Sequence, residues 1–382
     1  MVAPARPTFT RPLSDGTYQP SGSLNVLTAY QNGYPSYRVY GDGANDDRTA
    51  IQGLIDSVPA GSTLWFPAGT YRVVTTSSLT IPSGVGLYGV PGQTVFNVPT
   101  PASDQTLFYA SGKSDITIQG FKVLTPHVGP DYDGANAERL TGVNMSGTMQ
   151  NVTLKYLYFE NAKFAMKLGA NNTGVPESTG YLVEDITVRH SKTGIYIHDV
   201  HDSVFRRLDL EAHGLVGNDL DHTIYFNKNT DDNLFEDLTL RKAPGYSLQL
   251  YTGPSYRNTF RRVLCDAWES AYSIIVQGQY DLIFEHLTVL GRPGMDDYIR
   301  SYGTNNGVLF DGFNFTGALS SCEFWWVAGP LSNVTLRNGY YGGAEWYDNI
   351  TPTNWNREPT ATNPPAADNY DESLHQPELP RG

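Results

Sequence analysis

Nothing in this chain constrains its fold more than a six-residue phrase that returns down its second half. It reads Val183-Glu-Asp-Ile-Thr-Val188, then Phe205-Arg-Arg-Leu-Asp-Leu210, Phe235-Glu-Asp-Leu-Thr-Leu240 and Phe260-Arg-Arg-Val-Leu-Cys265. It continues as Phe284-Glu-His-Leu-Thr-Val289 and Phe310-Asp-Gly-Phe-Asn-Phe315, and fades at Val334-Thr-Leu-Arg337. From anchor to anchor the steps are 22, 30, 25, 24, 26 and 24 residues. Wider-spaced copies precede them at Ile118–Val123 and Leu154–Phe159. A period in this range marks a solenoid, in which each unit buries its apolar face only against its neighbours. The order apolar, polar, polar, apolar, polar, apolar, with β-branched and aromatic residues favoured, is that of a strand. The phrase therefore predicts an all-β fold, a parallel β-helix.

The repeat runs from about Asp115 to Arg337 without a linker, so one elongated domain is expected over residues 37–350. An extended arm (1–36) would precede it, and an irregular tail (351–382), rich in Pro, Asn and Asp, would follow. A hydrophobic content of 40% is ample for a core, and the net charge of -13 disfavours a nucleic-acid partner. No stretch approaches the roughly 20 apolar residues of a membrane span. Met1-Val-Ala-Pro-Ala-Arg-Pro7 has no apolar h-region, so either a leader is trimmed or export bypasses the secretory route, as for a virion protein released by lysis. The expected location is extracellular or virion-associated. Cys265 falls on an inward position and Cys322 two coils further on, a separation of roughly twice the 4.8 Å strand spacing. That exceeds the reach of a disulfide, so both are expected as free buried thiols.

Asn45 or Asp46 can cap a helix over about 46–58, whose apolar stripe is Ala50, Ile51, Leu54, Ile55 and Val58. Phe66-Pro-Ala-Gly-Thr-Tyr-Arg72 follows as strand, turn and strand. Together, Gly41-Asp-Gly43, Asp46-Asp-Arg48, Ile51-Gln52 and Phe66–Arg72 resemble the opening segment of the pectate-lyase-like β-helix superfamily. The resemblance implies that the β-helix is right-handed and single-stranded, and that this helix plugs the open end of the first coil. It leaves function open, because lyases, hydrolases, epimerases and phage tailspikes share the fold. Turn and capping roles explain Asp42, Asp46 and Asp47 better than a metal does.

Each coil carries a second apolar strand, such as Gly194-Ile-Tyr-Ile-His198 or Ser247-Leu-Gln-Leu-Tyr251. Side chains alternate along a strand. If Met166/Leu168, Ile195/Ile197, Ile224/Phe226, Leu248/Leu250 and Ile274/Val276 point inward, an outward row follows. It comprises Lys167, Tyr196 with His198, Tyr225 with Asn227, Gln249 with Tyr251, Gln277, Arg300 with Tyr302, and Trp325. Hydrogen-bonding and aromatic groups about 4.8 Å apart per coil suit a polysaccharide.

The densest chemistry lies in Tyr196-Ile-His-Asp-Val-His-Asp202 and Asn218-Asp-Leu-Asp-His-Thr-Ile-Tyr225. The candidate catalytic residues are Tyr196, Asp199, His201, Asp219, Asp221, His222 and Tyr225. β-Elimination on a uronate needs the carboxylate neutralised, a base such as Tyr, His or Lys at C-5, and an acid at the leaving oxygen. Epimerisation shares the first half. Hydrolysis needs two carboxyls about 5–5.5 or about 6.5–9.5 Å apart, which Asp199/Asp202 with Asp219/Asp221 could supply. Tyr196-x-x-Asp199-x-His201-Asp202 is similar to the Tyr-x-x-Asp-Pro-His-Glu/Asp motif of alginate (mannuronan) epimerases and related lyases, with Val200 in place of the proline. That similarity implies that Tyr196 and His201 exchange protons with the sugar while Asp199 orients its carboxylate region.

A polysaccharide lyase is the favoured expectation, with Lys167 or Arg300 on the substrate carboxylate. A glycoside hydrolase and a non-catalytic phage tailspike module, monomeric or trimeric, are the alternatives. No cofactor is expected. Calcium would be the one exception, if acidic turn residues converge with carbonyl oxygens, although no loop has recognisable calcium spacing. The histidine spacings fit no zinc motif.

Overall fold

The computed structural model describes residues 19–74, 77–99, 103–126, 139–169, 177–212, 221–243, 245–267, 272–316, 322–341 and 356–357. Their strands form a parallel β-solenoid. One sheet contains ten strands, from Leu79–Thr80 through Thr193–Ile197 to Glu323–Ala328, one per coil and each parallel to the next. This is the groove sheet. A larger sheet holds the repeated phrase, and a short four-stranded sheet (Ser255–Tyr256, Gln279–Tyr280, Asn305–Asn306, Leu331–Ser332) lines the corner between them.

The phrase stacks in register. Val183, Phe205, Phe235, Phe260, Phe284 and Phe310 follow one another on successive strands. From Phe205 onward the rings form a ladder along the axis, 4.6 Å apart for Phe205–Phe235 and 4.5 Å for Phe235–Phe260, tilted by 8° in both cases. Each buried ring contributes roughly 1.5–3 kcal/mol, which explains why bulk recurs at this position. The ladder ends on Leu336, which pairs with Phe310, and not on Val334. The last step is therefore two residues longer than the faded copy suggests.

The two adjacent polar residues of the phrase form a corner rather than a break in alternation. The second of them sits at left-handed φ in coil after coil: Asp185 (56°), Arg207 (53°), Asp237 (58°), Arg262 (54°), His286 (57°) and Asn338 (54°). Asp, Asn and His tolerate this region, whereas arginine does so at a cost. Ion pairs hold the arginines there: Arg207 Nε lies 2.7 Å from Asp185 Oδ1, and Arg262 Nε 2.5 Å from Asp237 Oδ1. After the corner the strand resumes, and its fourth and sixth residues point inward again.

Helix α1 (Arg48–Ser57) buries Ile51, Leu54 and Ile55 against the first coils. Its cap is Asp47, one residue after Asp46 and two after Asn45. Asp47 is turned back, and its carboxylate accepts the backbone N–H groups of Tyr40 and Gly41 at 2.7 and 3.0 Å. Asp42 accepts from the backbone of Ala44 and Asn45, and Asp46 from Arg48 and Val74, so all three aspartates serve the turn. Within the segment read as an arm, Leu24–Asn25 pairs with Leu64–Trp65, and Val26 and Ala29 are fully buried. Residues 1–18 lie outside the described residues, and of the tail only Asn356–Arg357 is described, paired with Thr335–Leu336. Cys265 and Cys322 are free and buried, and burial pushes the Cys265 thiol up to about 12, so it is inert at neutral pH.

Candidate active site on the groove sheet

The groove sheet keeps the alternation that its sequence implies. Met166, Leu168, Ile195, Ile197, Ile224, Phe226, Leu248, Leu250, Ile274 and Val276 are all in the core. Between them runs an outward row of Asn144, Lys167, Tyr196, Tyr225, Gln249, Ile275, Arg300 and Trp326, each paired with the next. The row ends on Trp326 and not on Trp325. Trp325 pairs with Ile299, is 4% exposed and packs its ring on Phe310 at 5.5 Å. The run Phe324-Trp-Trp-Val327 has no polar alternation, so its facing is fixed only by the neighbouring strand.

A second row lies two residues further along each strand. His198, Asn227, Tyr251, Gln277 and Tyr302 follow the inward residues Ile197, Phe226, Leu250, Val276 and Ser301. A third row, unforeseen from sequence apart from His222, lies two residues before the first inward position and comprises His222, Tyr246, Tyr272 and Asp297. The same two-residue offset would have found Tyr246 and Tyr272. Their rings stack: His222–Tyr246 at 5.4 Å and Tyr246–Tyr272 at 5.7 Å. Arg300 caps the ladder with its guanidinium 3.4 Å from the centre of the Tyr272 ring, 4.9 Å from that of Trp326, and its Nε 2.8 Å from Asp297 Oδ2. With two aromatic rings against it and a carboxylate at hydrogen-bond distance, Arg300 is committed to the scaffold.

Lys167, Tyr196 and His198 come together on two adjacent coils. Lys167 Nζ lies 4.4 Å from the Phe164 ring centre and 5.7 Å from that of Tyr196. Burial, then the neighbouring Lys163, lowers its pKa. The Tyr196 hydroxyl accepts a hydrogen bond from Asn227 Nδ2 at 3.0 Å, and its ring lies 5.1 Å from Tyr225. Burial raises the pKa of Tyr196 and pushes Tyr225 up to about 12, so both phenols keep their protons at neutral pH. His198 is nearly parallel to Tyr196, with ring centres 6.3 Å apart. Its Nδ1 is buried 2.5 Å from Asp199 Oδ2, off the line of a hydrogen bond, and Asp199 Oδ1 accepts from Asn229 at 2.9 Å. Asp199 is thus a buried corner residue at φ 52° that backs the imidazole.

The other candidates separate. His201 pairs with Thr179 and bridges to Asp231 around the corner, with Nδ1 2.8 Å from Asp202 and Nε2 3.8 Å from Glu177. It belongs to the corner row that continues into Tyr256 and Tyr280, not to the row of Tyr196. Asp221 is buried, with Lys192 Nζ 3.6 Å away. Asp219 lies outside the described residues. Asp231 accepts from the backbone N–H of Tyr256, and Asp232 binds Arg257 through both oxygens at 2.6 Å, as turn chemistry predicts. Among the described residues, no group of three or more His, Cys, Asp or Glu is arranged to hold a metal ion.

Next to the Tyr196 pair the groove deepens into a cavity of about 510 Å³, lined by His222, Tyr225, Tyr246, Gln249, Tyr251, Ile275, Gln277 and Tyr302. Burial alone brings the His222 pKa down to about 3, so the ring is neutral.

A parallel solenoid with a polar and aromatic groove along one sheet is the architecture of polysaccharide-active β-helix proteins. The family model described as rhamnogalacturonase A/epimerase, pectate lyase-like, matches residues 35–238, more than half of the chain, and the chain belongs to that family. Among solved structures it is similar to the tailspike protein of Escherichia coli bacteriophage HK620, solved in complex with a pentasaccharide. The identity is 13% and the TM-score 0.64, over 87% of this chain and 64% of that one. It is also similar to the enzymatically active domain of bacteriophage CBA120 tailspike protein 2, at 11% identity and TM-score 0.54, over 77% of this chain and 45% of that one. The A-module of the Azotobacter vinelandii mannuronan C-5 epimerase AlgE4 matches at 13% identity and TM-score 0.42, over 87% of this chain and 96% of that one. No curated protein sequence matches the chain. At these identities the structural likeness speaks for the fold.

Proposed function

We propose that the chain is a polysaccharide lyase that acts by β-elimination on a uronate unit bound across coils 164–227. The observation that carries this reading is the convergence of Lys167 and Tyr196, on adjacent coils of the outward row, with the buried His198–Asp199 pair beside them. Of the carboxylates that hydrolysis would enlist, Asp199 and Asp221 are buried beside a histidine and a lysine, Asp202 pairs with His201 at the corner, and Asp219 lies outside the described residues. Lys167 faces the uronate carboxylate and makes the C-5 proton acidic. His198, backed by Asp199, removes that proton. The C-5 electron pair forms the C4–C5 double bond as the bond from C-4 to the leaving oxygen breaks, and Tyr196 protonates that oxygen. A phenol held in its protonated form suits the acid role. His198 thus takes the position expected of His201, because it is His198 that flanks Tyr196.

Incubation with acidic polysaccharides, following the ultraviolet absorbance of the unsaturated uronate and the release of reducing ends, tests the reading. Both signals are expected. Reducing ends without absorbance would replace elimination by hydrolysis. We place the protein outside the cell or on a virion. Sedimentation of the full chain distinguishes monomer from homotrimer.

A further inference from the structure

We propose that His222 and Gln249 form a fixed donor–acceptor pair that holds an uncharged sugar hydroxyl in the cavity beside the elimination site. This extends the polysaccharide reading by giving the neighbouring subsite its own chemistry. The lining of the cavity contains aromatic, amide and aliphatic groups and a neutral imidazole, with Arg300 already committed to Asp297, Tyr272 and Trp326.

The tautomer of His222 follows from its surroundings. Its Nδ1 accepts the backbone N–H of Tyr246 at 3.2 Å, so the proton of a neutral ring resides on Nε2. The ring cannot easily leave this pose. It stacks on Tyr246, lies 5.4 Å from Tyr225, and is 2% exposed. A Cβ at position 245 would meet His222 Nδ1 at 3.0 Å and the Asp221 carbonyl at 2.7 Å, so Gly245 is what lets the backbone close over the imidazole. The result is an N–H donor that neither titrates near neutrality nor changes tautomer.

Gln249 supplies the complement. It is 7% exposed, pairs directly with Tyr225 on the adjacent strand, and lines the same cavity. Its Oε1 is buried with no hydrogen-bond partner among the described residues. A buried orphan acceptor is destabilising and calls for an explanation. A sugar hydroxyl both donates and accepts, so it satisfies Oε1 and takes the Nε2–H of His222 in one contact. A carboxylate can only accept, which would leave Gln249 unsatisfied.

The test uses the full chain on an immobilised panel of oligosaccharides built from neutral hexoses, 6-deoxyhexoses and hexuronates. Binding is expected to oligosaccharides with a neutral unit and to weaken roughly tenfold in Gln249→Leu and His222→Phe. His222→Gln, which keeps an N–H donor, should recover most of that loss. Gln249→Leu should melt no lower than the parent, because it removes an orphan acceptor; a merely structural glutamine would lower the melting temperature. Parent-like binding by both Gln249→Leu and His222→Phe would overturn the proposal, as would binding restricted to pure hexuronate chains. Neutral-unit binding without unsaturated product would leave this pair standing and remove only the elimination reading.

Discussion

The groove sheet and the phrase sheet wind around the same core, yet their outer faces are opposite in kind. Outside the phrase sheet, Lys155, Glu184, Arg206, Glu236, Arg261, Glu285, Asp311 and Arg337 stack in one row, nearly alternating in sign. The row closes on itself through contacts such as Lys155–Glu184 at 3.3 Å, Arg206–Glu184 at 3.1 Å and Arg261–Glu285 at 2.5 Å. The groove row spends its polarity differently. Its phenols and imidazoles meet mainly ring against ring rather than charge against charge, and at Gln249 one acceptor remains unmet. A face whose charges pair along the axis has little left for a ligand, whereas a face of neutral donors and acceptors stays available. The contrast supports the proposed placement of function on the groove side without reference to any relative.

The largest effect should come from the groove. Tyr196→Phe removes the acid while keeping the ring that packs on Tyr225, and His198→Gln removes the base. Each should lower turnover by about 10²–10⁴-fold while leaving glycan binding within a few-fold of the parent. The initial rate of absorbance gain is the measurement. Rates near the parent's in both variants would move the chemistry off this face.

The shared core comes next. Phe235→Ala opens a gap between Phe205 and Phe260, and a loss of about 3–5 kcal/mol is expected in denaturant unfolding. Both faces rest on that stack, so the loss should be the same with and without glycan. A change below about 1 kcal/mol would mean that the coils do not depend on the ladder.

A third test separates the faces by pH. His222 has a folded pKa of about 3, below its ordinary value of about 6.5, so between these values the unfolded chain binds the extra proton. Stability from this residue is therefore fully present above about pH 6.5 and declines as the pH falls. Moving from pH 7 to pH 5 should cost about 2 kcal/mol through His222 alone. His222→Gln should flatten that part of the profile. An unchanged slope would show that His222 is not held neutral, and with that the fixed donor would be lost.

These tests bear on residues that the sequence revealed unequally. The solenoid was legible because Phe205, Phe235, Phe260 and Phe284 repeat one physical requirement, a large apolar ring at a fixed depth. The outward positions of Lys167, Tyr196, Tyr225 and Gln249 followed, because Ile, Leu and Phe on either side of them fix the facing. Trp325 failed where apolar residues run consecutively, since a strand without polar alternation does not declare its faces. The separation of His201 from Tyr196 was hidden for a different reason. The corner between them is made by Asp199 at a φ of 52°, and a left-handed residue breaks the two-residue period without leaving a unique mark in sequence. The orphan acceptor of Gln249 was out of reach altogether, because it depends on what the surrounding coils leave unpaired.

The smallest effect should lie on the charged face. Glu236 receives Arg262 at 2.8 Å and Arg261 at 3.5 Å, but each arginine keeps a second carboxylate, Asp237 for Arg262 and Glu285 for Arg261. Both guanidinium groups are more than a third exposed, so solvent screens what is lost. Glu236→Ala should cost only about 0.5–1 kcal/mol, the difference shrinking further in high salt, and should leave turnover and glycan binding unchanged. Chemical denaturation at low and high ionic strength, paired with the absorbance assay, measures both halves of that statement. A loss above about 2 kcal/mol would make the ladder a cooperative network rather than a set of replaceable pairs. A fall in turnover would show that the two faces are coupled through the strands they share, and that the division of labour drawn from their side chains is incomplete.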